Sequence, residues 1–146
     1  MSAEESLEVL KLNMIGYLSL AVNNLPYSVP LCYSYMDDKL FFILLSPGKK
    51  IDHLKTNPNI CFVVAEWEDD GSWCSVMVYG TAKIFKDPEL SLTILKNFEG
   101  TLEFEALIGE AEENTSVETL TKKDYLVCEV EIEKITGRKS TALLEA

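Results

Sequence analysis

The chain of 146 residues has the length of one domain, residues 1–146, and 47% apolar with 10% aromatic content is enough to fill a core. A net charge of −11, from 24 acidic against 13 basic residues, argues against nucleic acid or an anionic membrane as partner, since both require clustered positive charge. No stretch approaches the roughly 20 apolar residues of a membrane span. Residues 1–13 are acidic and amphipathic rather than basic-then-apolar like a signal peptide, so a cytoplasmic protein is expected.

The chain opens on a predicted helix, with Ser2 three residues before Glu5 in capping-box spacing and Leu7 and Leu10 on one side. Three strands follow, at residues 15–22, 27–36 and 39–45, separated by Asn23-Asn24-Leu25-Pro26 and by Asp37-Asp38. Turns this short imply antiparallel neighbours. Within the second run, Val29, Leu31, Tyr33 and Tyr35 share one face while Pro30, Cys32 and Met36 share the other. Both faces suit burial, and a small barrel has only one interior. Either helices of the same chain or a second molecule must cover the other side.

Ser46, Pro47, Ile51 and Leu54 predict a helix with Ser46 as N-cap and Pro47 in the first position, stopped by Asn57-Pro58. Lys49 and Lys50 then fall in its first turn, where the helix dipole already concentrates positive charge. Either the lysines flank a solvated turn, or an anion such as a phosphate sits among them and the free amide groups. His53, the one histidine, lies between the core positions Ile51 and Leu54 and is expected to be partly exposed.

Strands are predicted at residues 59–67 and 73–85, on either side of the acidic loop 68–72. In the second of them Val76, Val78, Gly80, Ala82 and Ile84 share one face, and Gly80 with Ala82 leaves room for a tight bend. Asp87-Pro88-Glu89 opens a helix carrying Leu90, Ile94 and Phe98, and a further helix is expected over residues 102–113, with an acidic loop around residues 110–116. The last strand, 125–135, sets Leu126, Cys128, Val130 and Ile132 against Glu129, Glu131 and Glu133. Six strands with few helices predict a mainly β protein built as a small antiparallel barrel.

Catalytic side chains are scarce. A single histidine excludes a multi-histidine metal site and a histidine-dependent triad. The acidic pairs at Asp37-Asp38 and Glu68-Asp69-Asp70 sit in turns, where Asp is favoured for geometry, so no metal site is assigned. Cys32, Cys61, Cys74 and Cys128 are widely spaced in apolar runs and read as reduced core residues. A barrel with a phosphate-receptive turn and no acid or base of its own suits a protein whose cofactor supplies the chemistry. Flavin mononucleotide (FMN) matches that description.

The segment SPGKKIDHLKTNPNICF, residues 46–62, resembles the hallmark of the pyridoxamine 5'-phosphate oxidase-like family of flavin-binding split barrels: a Gly-Arg/Lys-Lys turn, a helix ending in Asn-Pro, and an apolar strand. PYSVPLCYSY at 26–35, SVMVYGTA at 75–82 and VEIEKITG at 130–137 are similar to other family segments in the same order, and the likeness spans residues 15–138 except the helical insert. The resemblance implies a six-stranded antiparallel split β-barrel of Greek-key type, holding FMN in a homodimer with flavins between the subunits. It makes Gly48, Lys49 and Lys50 the phosphate turn, and Ser28, Val29, Pro30, Leu31, Cys32 and Tyr33 the strand along the isoalloxazine ring. Ser75 would lie near the ring's pyrimidine end.

Ile43 and Leu44 stand where relatives often carry polar or aromatic groups, including a histidine beside the flavin in nitroimidazole-reductase-like members. The tryptophan and Arg-x-Arg-Leu ending of true pyridoxamine phosphate oxidases is not found after Thr136-Gly137-Arg138. The resemblance therefore implies an FMN-dependent oxidoreductase acting on a small acceptor rather than vitamin B6 oxidation. A non-catalytic flavin carrier or sensor, and a deazaflavin- or haem-binding barrel, are the alternatives.

Overall fold

The computed structural model describes residues 1–98 and 125–140; the helix expected at 102–113 and the loop at 110–116 lie outside them. In chain order the elements are α1 (Ala3–Leu12), β1 (Ile15–Val22), β2 (Leu25–Cys32), β3 (Ser34–Met36), β4 (Lys39–Leu45), α2 (Lys49–Thr56), β5 (Asn59–Trp67), β6 (Trp73–Phe85), α3 (Pro88–Phe98) and β7 (Tyr125–Lys139). The strands form one antiparallel sheet in the order β2-β1-β5-β6-β7-β4-β3. β1 beside β5 and β4 beside β7 are pairings of distant strands, which gives the expected Greek-key character.

The sheet is a split barrel by connectivity. Its two outermost strands, β2 and β3, are consecutive in sequence with only Tyr33 between them. One residue spans less than 4 Å, so the seven strands must curl until the two edges meet at that point. They are not hydrogen-bonded to each other: β2 pairs with β1, and β3 pairs with β4. The strand expected over residues 27–36 is thus two strands, and the count is seven rather than six.

Tyr33 sits at the break, its amide still in line with the β1–β2 register and its hydroxyl turned out of the sheet toward α1. Its amide donates to the Met14 carbonyl at 2.9 Å and its hydroxyl to the Leu10 carbonyl at 2.7 Å, with only 2% of the residue exposed. Burial pushes its phenol well above the ordinary range, so the hydroxyl remains a donor. Both acceptors lie about twenty residues upstream, where no local pattern announces them.

The two hairpin turns are local. Asn23-Asn24 and Asp37-Asp38 each have φ between 51° and 63°, the left-handed pair of a tight two-residue turn that Asn and Asp tolerate best. Leu18, Leu20, Leu40, Phe42, Leu44, Ile60, Phe62, Val64, Val76, Val78, Cys128 and Val130 fill the barrel. A bulge at Tyr79/Gly80 bends β6 against β7, and a Cβ on Gly80 would strike the Glu131 carbonyl, so the expected bend needs glycine there.

α1 closes one end of the barrel with Val9 and Leu10. Its capping box is formed as expected: Glu5 N–H donates to Ser2 Oγ and Ser2 N–H to Glu5 Oε1, each at 3.1 Å. Asp87 caps α3 through the Leu90 amide at 3.1 Å. α3 lays Ile94, Leu95 and Phe98 on the outer side of β4 and β7, against Phe41 and Val127, with Cys32, Met36 and Ile43 at the margin. A helix of the same chain therefore covers part of the second face of the 27–36 run.

Candidate functional site

The split leaves two strand edges without partners. β3 pairs with β4 only over Lys39–Phe41, so Phe42, Ile43, Leu44 and Leu45 have β7 on one side and no strand on the other. β2 likewise has β1 on one side alone. Continued past Ser34 and Phe41, the β3–β4 register would set Cys32 opposite Ile43, but no ladder forms there. The gap runs alongside β2 from Ser28 to Cys32, a length of about 13 Å at the usual strand rise.

At the far end of this gap lies the start of α2. The turn Ser46-Pro47, with a cis peptide bond, leads from β4 into the helix, whose N-cap is Gly48 rather than Ser46. The expected Ser46 cap is two residues too early, and no side chain caps this helix. A Cβ at Gly48 would stand 2.8 Å from the Leu45 carbonyl, so glycine lets the chain turn this tightly. The first-turn amides therefore receive no internal acceptor of the kind Ser2 and Asp87 supply to α1 and α3.

Lys49 and Lys50 occupy the first two positions of this helix. The ion pairs among the described residues are Lys39–Glu129 and Lys139–Glu5, so neither of these lysines meets a carboxylate despite the acidic chain. Lys49 Nζ instead lies 4.6 Å above the ring centroid of Tyr27 on β2. His53 packs against the same ring at 5.2 Å, and its Nδ1–H donates to the Lys49 carbonyl at 2.8 Å. These contacts fix the first turn of α2 beside β2. The other end of α2 is stitched to β1 by Asn57, whose Nδ2 donates to the Ala21 carbonyl at 2.9 Å.

The remaining sequence-predicted residues divide between the two faces of the sheet. Val29 and Leu31 pack against the barrel core, while Ser28 and Pro30 are exposed, with Ser28 hydrogen-bonded to Ser19 at 3.1 Å. Leu44 points into the barrel at 1% exposure and Ile43 packs under α3, so both can offer a ligand only backbone groups. Tyr33 is the buried pivot. Ser75 is not brought to the lysines: it pairs with Ala65 and Arg138, three strands and four residues from the row that contains Ser28. That separation is about 19 Å on the sheet surface.

A cavity of about 330 Å³ opens at the α2 end of the barrel, lined by Leu54, Lys55, Ala82, Ile84, Phe85 and Leu126. It includes none of the predicted site residues, so the gap, not this cavity, is the candidate site. Thiol chemistry is not offered either: burial raises Cys61, Cys74 and, to about 12, Cys128, keeping them protonated and weakly nucleophilic. Of the four cysteines only Cys128 is fully buried; Cys32, Cys61 and Cys74 are half-buried.

Two features were not legible in sequence. Tyr27 is the residue on which the lysine turn rests, and its only signal was its place before Ser28. The second is an apolar strip on the outer sheet face, where the register aligns Pro30, Tyr17, Val63, Met77 and Thr136 across five strands. Tyr17 is 53% exposed, and Tyr79 in the adjacent row 41%. No described helix covers them.

An open antiparallel barrel, slit between two strand edges with a lysine-bearing, uncapped helix start at one end, defines a split-barrel protein. The chain belongs to the pyridoxamine 5'-phosphate oxidase family, whose model it matches over residues 2–139. It is similar to the structure of an FAD-binding protein from Mesorhizobium loti, at 27% identity and TM-score 0.69, covering 97% of this chain and 96% of that one. The FAD-binding protein from Mycobacterium smegmatis shares the fold at 22% identity and TM-score 0.64, with 95% of each chain covered. An uncharacterised Rhizobium meliloti protein is 32% identical over 80 residues, 55% of this chain and 52% of that protein. The matched region thus spans about half the length of that curated relative.

Proposed function

We propose that this chain binds a flavin nucleotide, FMN, in the gap between β2 and β4 and acts as a flavin-dependent oxidoreductase on a small acceptor rather than on vitamin B6. The observation that carries the reading is the start of α2, where uncapped amides and two lysines, neither with a carboxylate partner among the described residues, follow Gly48. That donor set fits a phosphate, which accepts from several donors at once. The edge of β2 at Ser28–Leu31 that faces away from β1, and the edge of β4 at Ile43–Leu45 that faces away from β7, fit the polar rim of the flavin ring, and the Mesorhizobium relative, an FAD-binding protein, supports a flavin as the guest.

Bound flavin would supply hydride and electron transfer. The protein would hold the phosphate with Lys49 and Lys50, meet the ring with strand backbone, and exclude water with Leu45, Val29 and Leu31. The second half of the enclosure is a second copy of the chain, laid on the apolar strip around Tyr17, Met77 and Tyr79. This homodimer would cover residues that are otherwise an exposed patch, and would give Ser75 a flavin to face across the interface.

A non-catalytic carrier is the second reading, favoured by the lack of an acid or base along the gap, where Ile43 and Leu44 turn their side chains into the cores and Val29 and Leu31 are apolar. The readings separate on mixing purified protein with FMN, FAD or riboflavin and following flavin fluorescence. FMN binding without a gain from the adenylate of FAD supports the assignment, and no quenching by any flavin overturns it. Anaerobic addition of NADH or NADPH then decides activity: bleaching marks an oxidoreductase, an inert spectrum the carrier. Sedimentation of wild type against Tyr17→Lys tests the dimer, which the added charge should break.

A further inference from the structure

Among the described residues, Lys49 is the one of the two phosphate-turn lysines whose ammonium is held by another side chain, and that side chain belongs to a different element. In a chain with 24 acidic residues the simplest way to fix a lysine is a carboxylate. Instead Nζ of Lys49 rests over the face of Tyr27, and the imidazole of His53 packs on the same ring from the next turn of α2. A carboxylate would neutralise the charge and compete with any incoming anion. A π face restrains the ammonium while leaving its charge available, and the attraction is modest enough to coexist with a phosphate.

Resting on the phosphate assignment above, the geometry points to Tyr27 as a positioning residue for the cofactor, which aims Lys49 at the phosphate through its ring face, with His53 steadying the ring. Three facts meet here. Tyr27 packs against the barrel core and so presents a ring of fixed orientation. His53 ties back to α2 through Nδ1–H and the Lys49 carbonyl, four residues earlier and on the same side of the helix. Tyr27 is also the residue preceding Ser28, at the end of the gap where the helix begins. The hydroxyl takes no part in this; the ring does.

The effect is specific to the phosphate end of the ligand. Restraining a lysine side chain in advance lowers the ordering cost of each ammonium–phosphate contact, a gain that a ligand without phosphate does not collect. FMN and riboflavin differ in that one group, so they are the probes.

The test is titration of FMN and of riboflavin into wild type, Tyr27→Phe, Tyr27→Leu, Lys49→Met and the Tyr27→Leu/Lys49→Met pair, read by flavin fluorescence. Tyr27→Leu should weaken FMN about two- to six-fold, the range of an exposed cation–π contact, and leave riboflavin unchanged. Tyr27→Phe should match wild type. In the Lys49→Met background, Tyr27→Leu should cost nothing further, because its route to the ligand has gone. Equal loss of FMN and riboflavin, a Tyr27→Phe as weak as Tyr27→Leu, or an undiminished loss in the Lys49→Met background would each overturn the role. If Tyr27→Leu proves unstable, the comparison of Tyr27→Phe with Lys49→Met still decides between ring and hydroxyl. The phosphate assignment fails separately, and takes this inference with it, if Lys49→Met and a Lys50→Met variant bind FMN and riboflavin as wild type does.

Discussion

The two ends of the barrel are built on opposite plans. At the α1 end the polar groups are satisfied from within: the capping box closes the first turn, Tyr33 bonds the Leu10 carbonyl, and Asn13 Nδ2 reaches both the Val9 carbonyl at 2.9 Å and Glu66 at 2.7 Å. Lys139 meets Glu5 at 2.8 Å. At the α2 end the helix start has no side-chain cap, and among the described residues the flanking strand edges have no partner and the lysines no carboxylate. Leu45, at the same place, is 56% exposed. One helix is a closed lid and the other is an open socket, and satisfaction of polar groups, rather than hydrophobicity, tells them apart.

If that contrast is right, substitutions at the two ends should move different observables. The largest effect belongs to the socket. Lys49→Ala with Lys50→Ala should weaken FMN binding by about 3–6 kcal/mol, from two charge-assisted contacts of roughly 1.5–3 each. The melting temperature of the ligand-free protein should barely change, because neither ammonium has a carboxylate to lose. Isothermal titration and calorimetric melting would check both halves; unchanged affinity, or a large fall in stability without ligand, breaks the contrast.

At the closed end the pattern should invert. Tyr33→Phe removes the buried hydroxyl from the Leu10 carbonyl and leaves that acceptor without its donor, at a cost of about 1–3 kcal/mol in unfolding free energy. Flavin affinity, measured in the same buffer, should follow only as far as the split itself is disturbed. A urea titration of the variant that matches wild type would mean that the pivot is not held by this bond.

Which parts were legible in sequence follows the same division. Local devices could be read: Ser2 with Glu5, Asp87 with Pro88, the left-handed Asn and Asp turns, and the alternation of β6 and β7. Features set by distant partners could not. Nothing near Tyr33 shows that its hydroxyl leaves the sheet for the Leu10 carbonyl, so residues 27–36 read as one strand. Ser46-Pro47 is a good cap signal by composition, yet the helix starts at Gly48, with Lys49 in contact with the ring of Tyr27 on β2, far upstream. From the residues themselves the candidate site was visible only as its lysines, and the strand segments at Ser28–Tyr33 and Ile43–Leu44 came from the family resemblance; the gap that gives them a ligand's length exists only once β2 and β4 fail to pair.

The smallest expected effect concerns the clasp of α1. The Lys139 hydrogen bond and the Ser2 amide hold the Glu5 carboxyl down at about 2, from an ordinary value of 4.5, although both partners are solvent-exposed. A carboxyl whose folded value is depressed contributes stability above the unfolded value and loses it as the pH falls through the folded one. The contribution should therefore be whole at neutral pH, decline below about 4.5 and be gone near pH 2. Solvent screening keeps it small, so the useful measurement is a difference. The gap in melting temperature between wild type and Lys139→Met should be positive at pH 7 in low salt, shrink at high salt, and close toward pH 2, while flavin affinity at pH 7 stays the same in both. A gap that persists at pH 2 would assign it to packing of the Lys139 stem, and a change in flavin affinity would mean that the two ends of the barrel are coupled rather than independent.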